Sequence, residues 1–132
     1  MKKVFLGGTC NESKWRDHIT TMLKIDYFNP VVDDWTPDCQ AEELQQRKLC
    51  DFCLYTITPK MTGVYSIAEV VDDSNKSPKK TIFVTLRDDA EFSFNEAQWR
   101  SLSAVSKLVK SNGGQVFNDL KLAADFMNES TG

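Results

Sequence analysis

The sequence is poor in the residues from which most familiar catalytic signatures are built. It holds one histidine, His18. Cys50 and Cys53 form a lone C-x-x-C, and the second half of a zinc site is missing. With Cys10 and Cys39 they make four cysteines. Cys50-Asp51-Phe52-Cys53-Leu54 reads instead as the start of a strand, where cysteine serves as a small buried hydrophobe. There is no G-x-G-x-x-G, no P-loop and no G-x-S-x-G. Dinucleotide dehydrogenase, NTPase and α/β-hydrolase readings therefore lose their support. Positive charge is not in excess: 16 Lys and Arg face 19 Asp and Glu, for a net charge of -3. Sequence-independent binding to nucleic acid is not expected from such a chain. Long hydrophobic runs are also missing. The apolar stretch after Met1-Lys2-Lys3 stops at Gly7-Gly8, too short for a signal-peptide core or a membrane helix. No membrane partner and a cytoplasmic location are the resulting expectations.

What is present is a regular alternation of strand and helix. The 132 residues suit one domain, 1–132, with one core. Lys3 to Gly7 reads as a buried strand ended by glycine. Ser13 is placed to cap a helix whose apolar face is Trp15, Ile19, Met22 and Leu23. Tyr27 to Val32 is a second strand. Pro37 opens a helix to about Leu49. Phe52 to Ile57 is a third strand. A helix over about Val64 to Asn75 follows, with Val64, Ile67, Ala68 and Val71 at i, i+3, i+4 and i+7. Thr81 to Leu86 is rich in β-branched residues and makes a fourth strand. A polar connection with two exposed-looking aromatics, Phe92 and Phe94, leads to a long helix over about Asn95 to Ser111. Gln115 to Phe117 is a fifth strand. Asn118 or Asp119 caps a last helix with Leu120, Ala123, Ala124 and Met127 inward.

Five strands alternating with helices imply an α/β fold: a five-stranded parallel sheet covered on both faces, in flavodoxin-like, Rossmann-like order 2-1-3-4-5. Ligands in such folds bind at the carboxyl ends of the strands. That edge would carry Gly7-Gly8-Thr9, Asp33-Asp34-Trp35, Thr58 to Gly63 and Arg87-Asp88-Asp89.

Two carboxylates stand out there. Glu69 lies about 140° around its helix from Val64, away from the apolar stripe. Glu43 sits in the second helix, eight positions before Asp51. Retaining glycosyl transfer needs such a pair, one carboxylate to attack the anomeric carbon and a second acid to protonate the leaving group. A 2-deoxyribose reaches its oxocarbenium-like transition state more easily than a ribose, so the pair suffices without metal or cofactor. Each residue also has a plainer meaning. Ser66 to Glu69 matches a capping box, and Glu43 lies in a polar stretch that reads as a solvated helix face. Trp35 is suited to stacking on a base or to a rim position. Asp34 is suited to a sugar hydroxyl or to shaping the turn.

The run Val4-Phe5-Leu6-Gly7-Gly8, the segment Glu43 to Asp51 and the segment Gly63 to Glu69 resemble the nucleoside 2-deoxyribosyltransferase family. Asn29-Pro30, Asp34-Trp35 and Pro59 to Glu69 are closest to a phage and bacterial branch of it. The resemblance covers roughly residues 3 to 86. It implies that Glu69 is the nucleophile and that Glu43 replaces an Asp that handles the base. It also implies that Phe5, Gly7, Gly8, Thr9, Asp34, Trp35, Gly63 and Ser66 line the substrate site. Departures are equally visible. Gly63 stands where the family usually has an Asp, and Phe5 is nearest to a first-strand Tyr. The implied activity is N-glycosyl transfer or hydrolysis on a 2-deoxyribonucleoside or its 5′-monophosphate, through a glycosyl-glutamate. The alternative is a non-catalytic module that binds or sequesters a nucleotide. Hydrolysis of a ribosyl bond in a dinucleotide would use the same Glu chemistry, but no Gly-rich pyrophosphate loop is present. A homo-oligomer is implied by the same likeness, with Asp88 to Phe94 as the candidate contact.

Overall fold

A computed structural model describes residues 1–10, 12–32 and 36–130. In chain order the elements are β1 (Lys3–Gly8), α1 (Trp15–Thr20), β2 (Asp26–Phe28), α2 (Pro37–Leu49), β3 (Phe52–Ile57) and α3 (Tyr65–Lys76). A 3-10 turn at Pro78–Lys80 leads to β4 (Thr81–Thr85), β5 (Asp88–Asp89), β6 (Phe92–Ser93), α4 (Glu96–Ser111), β7 (Gln115–Phe117) and α5 (Leu120–Glu129). The main sheet is five-stranded and parallel throughout, in the order β2-β1-β3-β4-β7. This is the expected α/β architecture, with β7 as the fifth strand.

The central strand β3 is buried along its whole length, as a parallel strand covered on both faces must be. Alternation along the strands divides the core in two. Val4, Leu6, Phe52, Leu54, Ile82 and Val84 face α1 and α5, where Trp15, Ile19, Ala123, Ala124 and Met127 meet them. Phe5, Cys53, Tyr55, Ile57 and Phe83 face α3 and α4, against Val70, Leu102 and Val109. Cys50 and Cys53 are both buried. Burial pushes the Cys53 thiol up to about 12, which suits a packing role.

Several ends differ from the sequence reading. β2 stops at Phe28, because Pro30 has no N–H for the ladder and the Asn29 side chain accepts from Val31 N instead. Val31 and Val32 are therefore exposed rather than part of a strand. Ser13 does not cap α1, whose N-cap is Lys14 without a side-chain bond. Its hydroxyl goes to Asp89 Oδ2 at 2.5 Å. The buried stripe of α3 is partly as expected and partly shifted: Ile67 and Val71 pack against the core and Val70 and Ser74 are buried, while Ala68 is exposed and Val64, which precedes the first turn, is 66% exposed.

The polar connection after β4 folds into a small antiparallel hairpin, β5–β6. Its turn places Ala90 at a φ of 56° without glycine or asparagine, so the usual hairpin signal is missing from the sequence. Phe94 is not exposed as expected. It enters the core and packs against Trp99, whereas Phe92 stays exposed. The other caps follow local chemistry: Thr36 opens α2, an Asn95–Gln98 capping box opens α4 and Asp119 opens α5. Among the described residues, no helix is long and apolar enough to cross a membrane.

Candidate active site

The site begins where β1 ends. Gly8 has a φ of +115°, and a Cβ there would lie 2.1 Å from the Thr56 carbonyl oxygen. Only glycine fits so tight a pairing of β1 with β3. At Gly7 a Cβ would meet the Tyr55 ring at 2.7 Å. These two glycines open a floor at the carboxyl edge of the sheet. Behind it Arg16 from α1 is buried, donating from Nε to Leu6 O at 3.0 Å, from Nη1 to Thr9 O at 2.7 Å and from Nη2 to Gly8 O at 3.3 Å. Its guanidinium also lies 4.5 Å over the Trp15 ring. Burial depresses the Arg16 guanidinium to about 10, still fully charged at neutral pH, against the opposing fields of Cys10 and Glu43.

Above this floor lies a cleft of about 310 Å³ between β1, the Pro30–Val32 segment, α2 and the start of α3. Phe5, Gly7, Gly8, Glu43, Ser66 and Glu69 all line it. Thr9 and Gly63 line an adjoining hollow of about 270 Å³ that shares Gly8, Cys10, Tyr65 and Ser66 with the first. Thr9 is a brace as well as a wall: its Oγ1 accepts from Thr58 N at 3.0 Å. Asp34 and Trp35 lie outside the described residues.

Glu69 lines the cleft from α3, with 17% of its side chain exposed. Desolvation pushes its carboxyl up, Arg47 pulls it down, and Glu43 and Asp73 push it up again, leaving it at about 6. Glu43 is also raised, by burial first, with Arg16 opposing. The Glu43 charge is therefore felt at Glu69. Glu69 does not serve as a cap. The N-cap of α3 is Val64, with no side-chain cap bond, and the helix begins at Tyr65, before Ser66.

Four participants escaped the sequence reading. Arg47 on α2 faces Glu69, with Nη1 at 3.8 Å from Oε2. It lies one turn after Glu43, a spacing that signals a shared helix face. Asp73 lies one turn after Glu69 on α3 and holds Arg47, a second signal of the same kind. Tyr65 opens α3 at the cleft wall. Arg16 carried no signal, since an arginine after a tryptophan reads as surface. It also places a positive charge near Cys10. Gly63 has no neighbour within 4 Å of a would-be Cβ, so no steric demand keeps it a glycine. Among the described residues, no group of His, Cys, Asp and Glu is arranged to hold a metal ion.

No curated protein and no solved structure matches the chain. A family model described as nucleoside 2-deoxyribosyltransferase like matches residues 1–90, the stretch that builds both walls and the floor of this cleft. On that match, the chain belongs to the nucleoside 2-deoxyribosyltransferase-like family.

Proposed function

We propose that the protein breaks the N-glycosidic bond of a 2-deoxyribonucleoside, or of its 5′-monophosphate, and passes the sugar to a second base or to water. The observation that carries this reading is Glu69: a carboxylate in an open cleft at the strand ends, raised to about 6, with a second raised carboxylate facing it. A carboxylate of that basicity is mostly ionised at neutral pH and more nucleophilic than an ordinary glutamate.

In this reading a Glu69 carboxylate oxygen attacks C1′. The C1′–N bond breaks and its electron pair goes to the base nitrogen. Glu43 donates the proton that the departing base takes up. A glycosyl ester on Glu69 remains. A second base attacks C1′ through its nitrogen, its proton passing to Glu43, and Glu69 leaves as carboxylate. Water in place of that base gives net hydrolysis with the same proton transfer.

The test is chromatographic release of free base from deoxynucleosides and their 5′-monophosphates, with mass analysis of the Glu69 peptide for a deoxyribosyl adduct. Glu69→Gln should lower the rate by at least about two to three orders of magnitude. An unchanged rate in a folded Glu69→Gln protein sinks the mechanism. Gly63 favours one rival, a binding module, since the side chain expected there by family likeness is missing and its space is open. Thermal stabilisation by a nucleotide with no base release at high protein concentration supports that rival.

A further inference from the structure

Glu69 lies beside a cation whose short bonds belong to another residue. Arg47 donates from Nη2 to Asp73 Oδ1 at 2.7 Å and from Nε to Asp73 Oδ2 at 3.2 Å. Tyr55, rising from β3, donates its hydroxyl to the same Asp73 Oδ2 at 2.5 Å. This pins the guanidinium between α2 and α3. Its remaining corner, Nη1, stands 3.8 Å from Glu69 Oε2. That is within ion-pair range and beyond a hydrogen bond. Nη2 also reaches the backbone carbonyl of Glu69 at 3.4 Å and Asp72 Oδ2 at 3.3 Å.

We propose that Tyr55, Asp73 and Arg47 form a positioning relay that presents a fixed positive charge to Glu69 without occupying its lone pairs. The inference rests on the reading of Glu69 as nucleophile and deepens it. A carboxylate that attacks carbon in a partly dry cleft has two needs that conflict. It must stay ionised against desolvation, and it must keep an oxygen uncommitted. A direct Arg–carboxylate fork meets the first need and defeats the second. Giving the fork to Asp73 meets both. The planar guanidinium suits this division, because one edge binds Asp73 while another faces Glu69, which a lysine's point charge does not reproduce. The relay's charges are secure. Burial works against the Arg47 charge, but the Asp73 hydrogen bond and the nearby acidic groups outweigh it and hold the guanidinium protonated. Desolvation keeps the Tyr55 phenol neutral and therefore a donor.

The test follows the ionisation of Glu69 directly, by NMR pH titration of protein carrying ¹³C-labelled glutamate side-chain carboxyls. Glu69→Gln assigns the resonance. Arg47→Gln should raise the midpoint by about one pH unit or more. Asp73→Asn removes a like charge and leaves the guanidinium to Glu69, so it should lower the midpoint by about half a unit or more. The acid limb of the pH–rate profile should move with each. Shifts of the same sign in both variants, or a midpoint within about 0.2 units of the parent in folded Arg47→Gln, overturn the relay. Should Arg47→Gln not fold, the sign in Asp73→Asn decides alone. Full base release by Glu69→Gln would sink the nucleophile reading while the titration still reports on the relay.

Discussion

At the scale of single residues, the cost of a partly buried carboxylate can be read against pH. Glu69 is raised from its ordinary value to about 6. A carboxyl raised on folding favours the folded state when it is protonated. That contribution is complete at acid pH below the unfolded value and disappears as pH climbs through the folded one. Glu69→Gln should therefore be more stable than the parent by about 1 kcal/mol at pH 8, allowing for partial exposure. The difference should vanish at about pH 4. Urea midpoints at the two pH values check this, and an equal gap at both would point to packing rather than charge. Arg47 is not orphaned by the change, because Asp73 keeps its fork. Gly63 offers the converse experiment. Nothing lies within 4 Å of a Cβ there, so Gly63→Asp should be accepted without loss of fold. If a sugar hydroxyl lies beside it, one charged hydrogen bond should raise kcat/KM by about tenfold. Unchanged kinetics would place the sugar elsewhere.

At the scale of elements, the walls of the cleft are unequal. α3 is anchored by Val70, Asp73 and Ser74, all buried, whereas α2 has no buried residue at all. α2 is held by polar grips: Arg47 on α3, and the Lys80 ammonium donating to the carbonyls of Arg47, Lys48 and Cys50 at its end. An element with little apolar burial opens at low free-energy cost. Amide hydrogen exchange should accordingly be faster in α2 than in α3 or α4, and faster still in Arg47→Gln. Equal protection across the three helices would contradict a loosely held wall. The same contrast explains what could be read beforehand. The boundaries of α2 and β3 were legible because Pro37 and a mostly apolar run over Phe52–Ile57 announce them. The β5–β6 hairpin was not, because its turn is made by Ala90 rather than glycine or asparagine. Glu43 and Glu69 were legible as carboxylates on two helices near the strand ends. Their cations were not, since the approach of Arg16 on α1 to Glu43 and of Arg47 on α2 to Glu69 is a tertiary fact that no segment announces alone.

At the scale of the molecule, the family match and the folding unit have different extents. The match ends at residue 90, yet both halves of the core continue past it. Ala123, Ala124 and Met127 of α5 are wholly buried against one face of the sheet, as is Val109 of α4 against the other. Asn128 near the end of α5 accepts from Lys24 N at 2.7 Å and donates to Met22 O at 2.9 Å, tying the last helix to the connection between α1 and β2. Removing residues 91–132 strips both faces of cover, and each fully buried large apolar side chain lost, such as Met127 or Val109, forfeits about 1.5–3 kcal/mol. A fragment of residues 1–90 should therefore lack a cooperative thermal transition by circular dichroism. A sharp transition in that fragment would mean that the matched region carries its own core.

The steric lock at the end of β1 has a consequence for tracing descent. Because any side chain at Gly8 would collide with the backbone of the neighbouring strand, every sequence that keeps this strand pairing must spell glycine there. Few other letters near the cleft are under so rigid a demand. The glycine and the Glu69 carboxylate on α3 together make a sparse signature with which distant cousins, long diverged elsewhere, can be sought in genomes.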